Sequence, residues 1–106
     1  MVKLNKLVKK IKFCNVFQSG IGLMFSRKKD RALVFSFGKE KIAALHMFFV
    51  FYPIDVLFLD RDKIIVEIKH NFRPFTSYIP NKKAKYVIEM PKGKADKLRI
   101  GNKIDF

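Results

Sequence analysis

The apolar residues of this chain fall in short, separated runs, and most of the runs alternate. Ile64, Val66 and Ile68 alternate with Ile65, Glu67 and Lys69, the period-two pattern of a half-buried strand. Residues 54–60 form an apolar run just before it, and Arg61-Asp62 between the two predicts a hairpin. Residues 32–37 predict a strand closed by Gly38, residues 84–90 another, and residues 103–106 a short last one. In residues 42–52, Met47, Phe49 and Phe51 face one side and His46, Phe48, Val50 and Tyr52 the other. Both faces are apolar, so this strand is either central or covers a binding surface. Pro53 cannot donate to a strand ladder, so the long apolar block must bend or end there.

Helical signals are weaker. Asn15-Val16-Phe17-Gln18 has the form of a capping box, and Phe17, Ile21 and Met24 follow at helical spacing. Gly20 and Gly22 keep this helix short, and its apolar stripe is expected to cover the strand at residues 45–52. A second short helix is expected at residues 94–99, after the turn Pro91-Lys92-Gly93 and before Gly101 as its left-handed cap. Residues 2–13 fit a basic amphipathic helix, with Leu4, Leu7, Val8 and Ile11 on one stripe, and equally a first strand with its lysines outward. Residues 72–81, with Pro74 and Pro80, read as an ordered loop or edge segment. The sum is a mainly β (α+β) single domain spanning residues 1–106, a mostly antiparallel, barrel-like sheet with two short helices.

Composition narrows the partners more than the fold. At 106 residues with twelve Phe, the chain can bury a core without disulfides. Cys14 is the one cysteine; it reads as a small packed residue, because a nucleophile would need a base placed beside it. The net charge is +14, heaviest in the first half, where Lys3, Lys6, Lys9, Lys10 and Lys12 crowd together. Such a balance predicts weak, non-specific nucleic-acid binding at low salt, against the plainer reading of a solvated lysine surface. Many Lys, Ile and Phe with a single Gln also suit a heat-adapted protein. Residues 2–13 lack the apolar segment and small-residue cleavage site of a signal peptide. Residues 42–59 have the length of a short membrane span, but Pro53 and Asp55 interrupt them, so two strands, no membrane span and a cytoplasmic location are expected.

Few residues carry obvious chemistry. Asp55 is a lone carboxylate among apolar neighbours and, if buried, must accept hydrogen bonds from backbone or a cation. It is also the one candidate acid or base, with His46 as the partner it would share a cleft with. His46, His70 and Cys14 lack compact spacing, so neither a metal nor another cofactor is expected. No phosphate-cradling glycine loop, nucleophile elbow or zinc knuckle is present. The richest basic-aromatic mixture is Arg73, Lys82, Lys83 and Lys85 interleaved with Phe72, Phe75, Tyr78 and Tyr86. Arg73, Lys82, Lys83, Lys85 and Tyr86 are therefore the candidate contacts for an anionic or polar ligand, or for single-stranded nucleic acid. The plainer reading makes the aromatics core and the lysines solvated.

Several ordered segments together resemble a known family. They are Gly22-Leu23-Met24-Phe25, then Ala32-Leu33-Val34-Phe35, then the long run from His46 through Pro53-Ile54-Asp55 to Asp60. Arg73-Pro74-Phe75, Ala84-Lys85-Tyr86-Val87-Ile88-Glu89-Met90-Pro91-Lys92-Gly93 and Gly101-Asn102-Lys103-Ile104 continue the order. Over residues 14–106 the chain resembles the uncharacterised DUF 192 family (domain of unknown function 192), in its short archaeal form. The resemblance implies a small, soluble, mostly-β fold and no particular reaction. It departs from the family at Phe48 and Phe49, where many members carry Lys and Asn, at Ser26, where many carry Arg, and at Asn102, where many carry Asp. The expectation is thus a non-enzymatic binding or accessory module, with a small enzyme using Asp55 and His46 as the alternative.

Overall fold

A computed structural model describes residues 1–14, 31–46 and 52–106. In chain order the elements are β1 (Val2–Lys3), α1 (Leu4–Leu7), β2 (Lys10–Cys14), β3 (Arg31–Lys41), β4 (Leu45–His46), β5 (Ile54–Leu59), β6 (Ile65–Phe72), β7 (Ser77–Tyr78), β8 (Ala84–Pro91) and β9 (Ile104–Asp105). The expected helix at 17–24, and with it the cover it was to provide, lies outside the described residues, as do residues 47–51 and the side chains of Cys14, Leu45 and His46.

Five strands make one sheet in the order β2-β3-β8-β5-β6. The pairs β3–β8, β8–β5 and β5–β6 are antiparallel, and β2–β3 is parallel. The mainly β, mostly antiparallel expectation therefore holds. Barrel closure is not seen: among the described residues β2 and β6 are edges that do not pair with each other. The stretch 94–99 is not a helix but a string of tight turns. The amides of Lys94, Asp96 and Leu98 donate to the carbonyls of Pro91, Gly93 and Ala95, each three residues back. The N-terminal ambiguity resolves as both forms, a single helical turn at α1 between β1 and β2.

Both faces of the sheet are buried, because residues alternate across it. Leu33, Phe35, Ile54, Val56, Phe58, Phe72 and Val87 pack on one face. Leu4, Val34, Leu57, Leu59, Ile88, Met90, Leu98 and Ile104 pack on the other. All six residues of central β5 are buried, which is why its sequence shows no polar alternation. Tyr52 and Pro53 lie outside strand geometry, and β5 begins at Ile54, directly after the proline that cannot donate to a ladder.

The β5–β6 hairpin turns where the sequence places it. The Asp60 carboxylate accepts the amides of Asp62 (2.9 Å) and Ile64 (3.0 Å), and Lys63 takes the left-handed backbone at φ 64°. Gly38, by contrast, does not end its strand: β3 runs on to Lys41, with an irregularity in its pairing to β8 after Ser36. Among the described residues no helix is long and apolar enough to cross a membrane.

Candidate functional site

A β-bulge creates the site. In the β5–β6 pairing Ile54 faces Phe72 and Val56 faces Lys69, so His70 and Asn71 together oppose the single residue Asp55. Asn71 absorbs the extra residue by adopting φ 51°, a left-handed conformation that asparagine tolerates better than most residues. Its amide then points at Asp55 Oδ1, at 3.0 Å. From the other side, the turn after β8 brings the amides of Gly93 (2.9 Å) and Ala95 (3.1 Å) to Asp55 Oδ2. Gly93 sits at φ 96°, which only glycine adopts without strain. Asp55, 1% exposed, thus ties β5, the bulge and the 93–95 turn together.

His70 Nδ1 lies 4.0 Å from Asp55 Oδ2, with about half of the His70 side chain exposed. Ligand atoms of Asp55, His70 and Asp96 fall within 4.8 Å of one another. Among the described residues these three are the ones that could approach a metal ion, and the fold gathers them from distant points in the sequence. Asp55, however, already accepts three amide hydrogen bonds, which compete with any cation for its oxygens.

Beside this cluster Lys69, His70, Asn71, Arg73, Thr76 and Ser77 line an open depression of about 350 Å³. Its lining carries two permanent cations, an imidazole, an amide and two hydroxyls, and no carboxylate. The Thr76 hydroxyl donates to the Arg73 carbonyl at 2.6 Å, closing a turn over Pro74 and Phe75. Glu67 holds the segment beyond it. This buried carboxylate accepts the Tyr78 hydroxyl and the amides of Asn81 (2.8 Å) and Lys82 (3.0 Å). That hydrogen bond to Glu67 is the main cause pushing the Tyr78 hydroxyl up to about 12. The Tyr78 ring packs against Phe58 and Phe72, and the Lys69 ammonium lies 5.2 Å from its centre.

Of the residues singled out from sequence, the structure brings Arg73 to the depression. Lys82, Lys83, Lys85 and Tyr86 are not in its lining. The Lys85 ammonium instead donates to the Phe37 carbonyl at 2.8 Å, and Tyr86 packs edge-on against Phe106 at 5.2 Å. The Lys85 ammonium also lies 5.6 Å from the centre of the Tyr86 ring, so this pair keeps together outside the lining of the depression. The backbone of His46 pairs with Ser77, but its side chain lies outside the described residues; the histidine beside Asp55 is His70. Sequence reading missed Lys69, Thr76, Ser77 and the role of His70. The available signal was the polar pair His70-Asn71 interrupting an otherwise alternating strand.

One more acidic group is buried away from this site. Glu89 on β8 pairs with Leu33 and Val56, and desolvation pushes its carboxyl up to about 8. Tyr52 is also raised, chiefly by burial, with Arg31 lowering it and Glu89 raising it.

Against known proteins, the family model DUF192, described as "Uncharacterized ACR, COG1430", matches residues 11–106. A UPF0127 protein of Thermococcus sibiricus is 43% identical over 89 residues, covering 80% of this chain. The chain spans 57% of that relative's length. UPF0127 protein PYRAB11210 of Pyrococcus abyssi is 38% identical over 96 residues, covering 87% of this chain and 80% of its own. Among solved structures, a Sinorhizobium meliloti 1021 protein described as a candidate transcription regulator superposes with TM-score 0.71 at 27% identity, covering 77% of this chain and 68% of its own. A protein of unknown function from Novosphingobium aromaticivorans reaches TM-score 0.79 at 21% identity, covering 93% of this chain and 75% of its own, a likeness of fold.

Proposed function

The chain belongs to the DUF192 family, whose description assigns no activity, and from the geometry of its polar depression we propose that it is a binding module for a small anionic ligand. The observation that carries this reading is the lining itself, in which Lys69 and Arg73 converge with the Asn71, Thr76 and Ser77 side chains and no acidic group opposes them. Arg73 offers a fork of donors matched to a phosphate or carboxylate, and the hydroxyls and amide complete the shell. His70 belongs to this lining and its Nδ1 lies 4.0 Å from Asp55 Oδ2, so the buried carboxylate sits close behind a ring that faces the ligand. The module works without catalysis and in the cytoplasm. Lys82 and Lys83, both exposed, add to the positive field that draws an anion in.

Titration calorimetry with inorganic phosphate and pyrophosphate at low ionic strength tests the proposal. Arg73→Glu is expected to weaken binding by at least about tenfold, the worth of one charge-assisted contact, while leaving the melting temperature within a few degrees. Equal affinity of Arg73→Glu and the unaltered chain for these anions would sink the assignment.

A second reading rests on charge alone. With a net +14, the chain is expected to bind DNA and RNA weakly at low salt and to lose them steeply as salt rises, without sequence preference. A filter-binding series in salt reads the slope. Tight binding to one sequence that survives about 200 mM salt would contradict it and point to base readout instead.

A further inference from the structure

Lys85 and Tyr86, which the depression leaves out, belong to a different surface. Tyr86 packs edge-on against Phe106, and Phe106 lies 6.4 Å from Phe13 on β2, with those two ring planes 32° apart. Phe13 shares a face of the sheet with Ile11, which packs on the same core as Tyr86 and Phe106. Three aromatic rings thus meet where that core reaches the surface. Phe13 is 62% exposed, so its contact with Phe106 leaves most of the ring open. A single exposed phenylalanine needs no explanation by itself, but this one adjoins two further rings and a set of cations.

The Lys63 ammonium lies 4.2 Å from the centre of the Phe106 ring and 5.8 Å from that of Tyr86, and the Lys85 ammonium 5.6 Å from that of Tyr86. Lys63 donates once, to the Phe106 backbone oxygen, and Lys85 once, to that of Phe37, while an ammonium carries three donors. On the Phe13 side, residues 1–14 hold five lysines, all exposed, and no acidic residue. Asp62 and Asp105 are exposed beside Lys63 and Phe106 in sequence, so phosphates are expected to approach along β2. An open ring among cations suits a partner that carries flat faces on an anionic backbone. A second copy of this chain, itself at +14, would bring like charge to like.

We infer that this corner binds single-stranded nucleic acid, with a base stacked on Phe13 and the neighbouring phosphates held by the lysines of β2 and by Lys63. The inference rests on the polyanion reading above and adds to it a surface and a strand preference. Charge alone favours a duplex, whose phosphates are denser, whereas stacking on a ring needs an unpaired base. Fluorescence anisotropy at low salt compares a thymidine oligonucleotide of about fifteen nucleotides with a duplex of the same length. The unaltered chain should bind the single strand more tightly. Phe13→Ala should weaken single-strand binding about fivefold or more, the worth of one stacked base, and leave duplex binding and the melting temperature unchanged. Phe13→Leu keeps apolar bulk without a flat ring and should behave like Phe13→Ala, while Phe13→Tyr should retain the affinity; none of the three alters the charge. A duplex bound at least as tightly as the single strand would overturn the inference. So would a single-strand affinity untouched by Phe13→Ala, or an equal loss for both probes, and each of these leaves the polyanion reading standing. A dimer in sedimentation that Phe13→Ala dissociates would assign the corner to a second copy and overturn it too. Failure of both probes to bind would remove the polyanion reading itself, and the inference with it.

Discussion

Asp55→Ala is expected to destabilise the fold by about 3–5 kcal/mol, because it strands three backbone amides at once, each a donor to a carboxylate. These amides come from separate places in the chain: Asn71 in the bulge, and Gly93 and Ala95 in the turn after β8. With total stabilities of small domains at roughly 5–15 kcal/mol, such a loss removes a large share. Asp55→Asn should cost nearly as much, since its NH2 group would face donors where an acceptor is needed. Chemical denaturation of both variants measures this. Midpoints indistinguishable from the unaltered chain would mean that water or backbone rearrangement satisfies those amides. The same experiment bears on function, because the bulge that Asp55 holds also aims His70 and Asn71 into the depression.

The second large effect is a pH dependence centred on Glu89. Its carboxyl lies at about 8, well above an ordinary glutamate at 4.5, because burial penalises the charged form. The folded state therefore holds this proton more tightly than the unfolded state does. Glu89 imposes no penalty below the unfolded value of 4.5; stability then falls as pH rises from there towards 8, and the full cost is present above 8. The cost at pH 9 is on the order of a few kcal/mol at most, since each tenfold difference in proton affinity is worth about 1.4 kcal/mol. Glu89→Gln keeps the shape and cannot ionise. It should melt at the same temperature as the unaltered chain near pH 4.5 and clearly higher at pH 9. A gain of the same size at both pH values would show that packing, not ionisation, separates the two side chains.

Local chemistry was legible in the sequence wherever one residue decides the outcome. β5 starts directly after Pro53, which lacks a donor, and Asp60 set the hairpin because its carboxylate reaches the amides two and four residues on. The isolation of Asp55 among apolar residues announced its burial and its need for donors. What stayed hidden depends on pairing across the sheet. A bulge is one extra residue on one strand, and although the polar pair His70-Asn71 interrupts the alternation, nothing in the sequence placed it opposite Asp55. The helix expected at 94–99 is replaced by successive turns bonded three residues back, with the amides of Gly93 and Ala95 given to Asp55 on another strand. Gly38 misled because a glycine weakens a strand without ending it, and β3 runs on past it to Lys41. In the basic-aromatic segment, adjacency in sequence suggested one surface, yet Lys85 bonds the Phe37 carbonyl and Tyr86 packs on Phe106, while Arg73 joins residues of the bulge.

The position of β8 has a consequence for how the protein is made. This strand lies between β3 and β5, yet it is the last of the five sheet strands to leave the ribosome. The β5–β6 hairpin is local and can close within microseconds of emerging. The nascent sheet then exists in two parts, one ending at β3 and the other at β5, each with an open apolar edge awaiting the same missing strand. Translation proceeds at about 5–20 residues per second, so β3 waits several seconds for its partner. Those seconds, rather than the stability of the finished sheet, set when this chain is most exposed to wrong pairing and most in need of a chaperone.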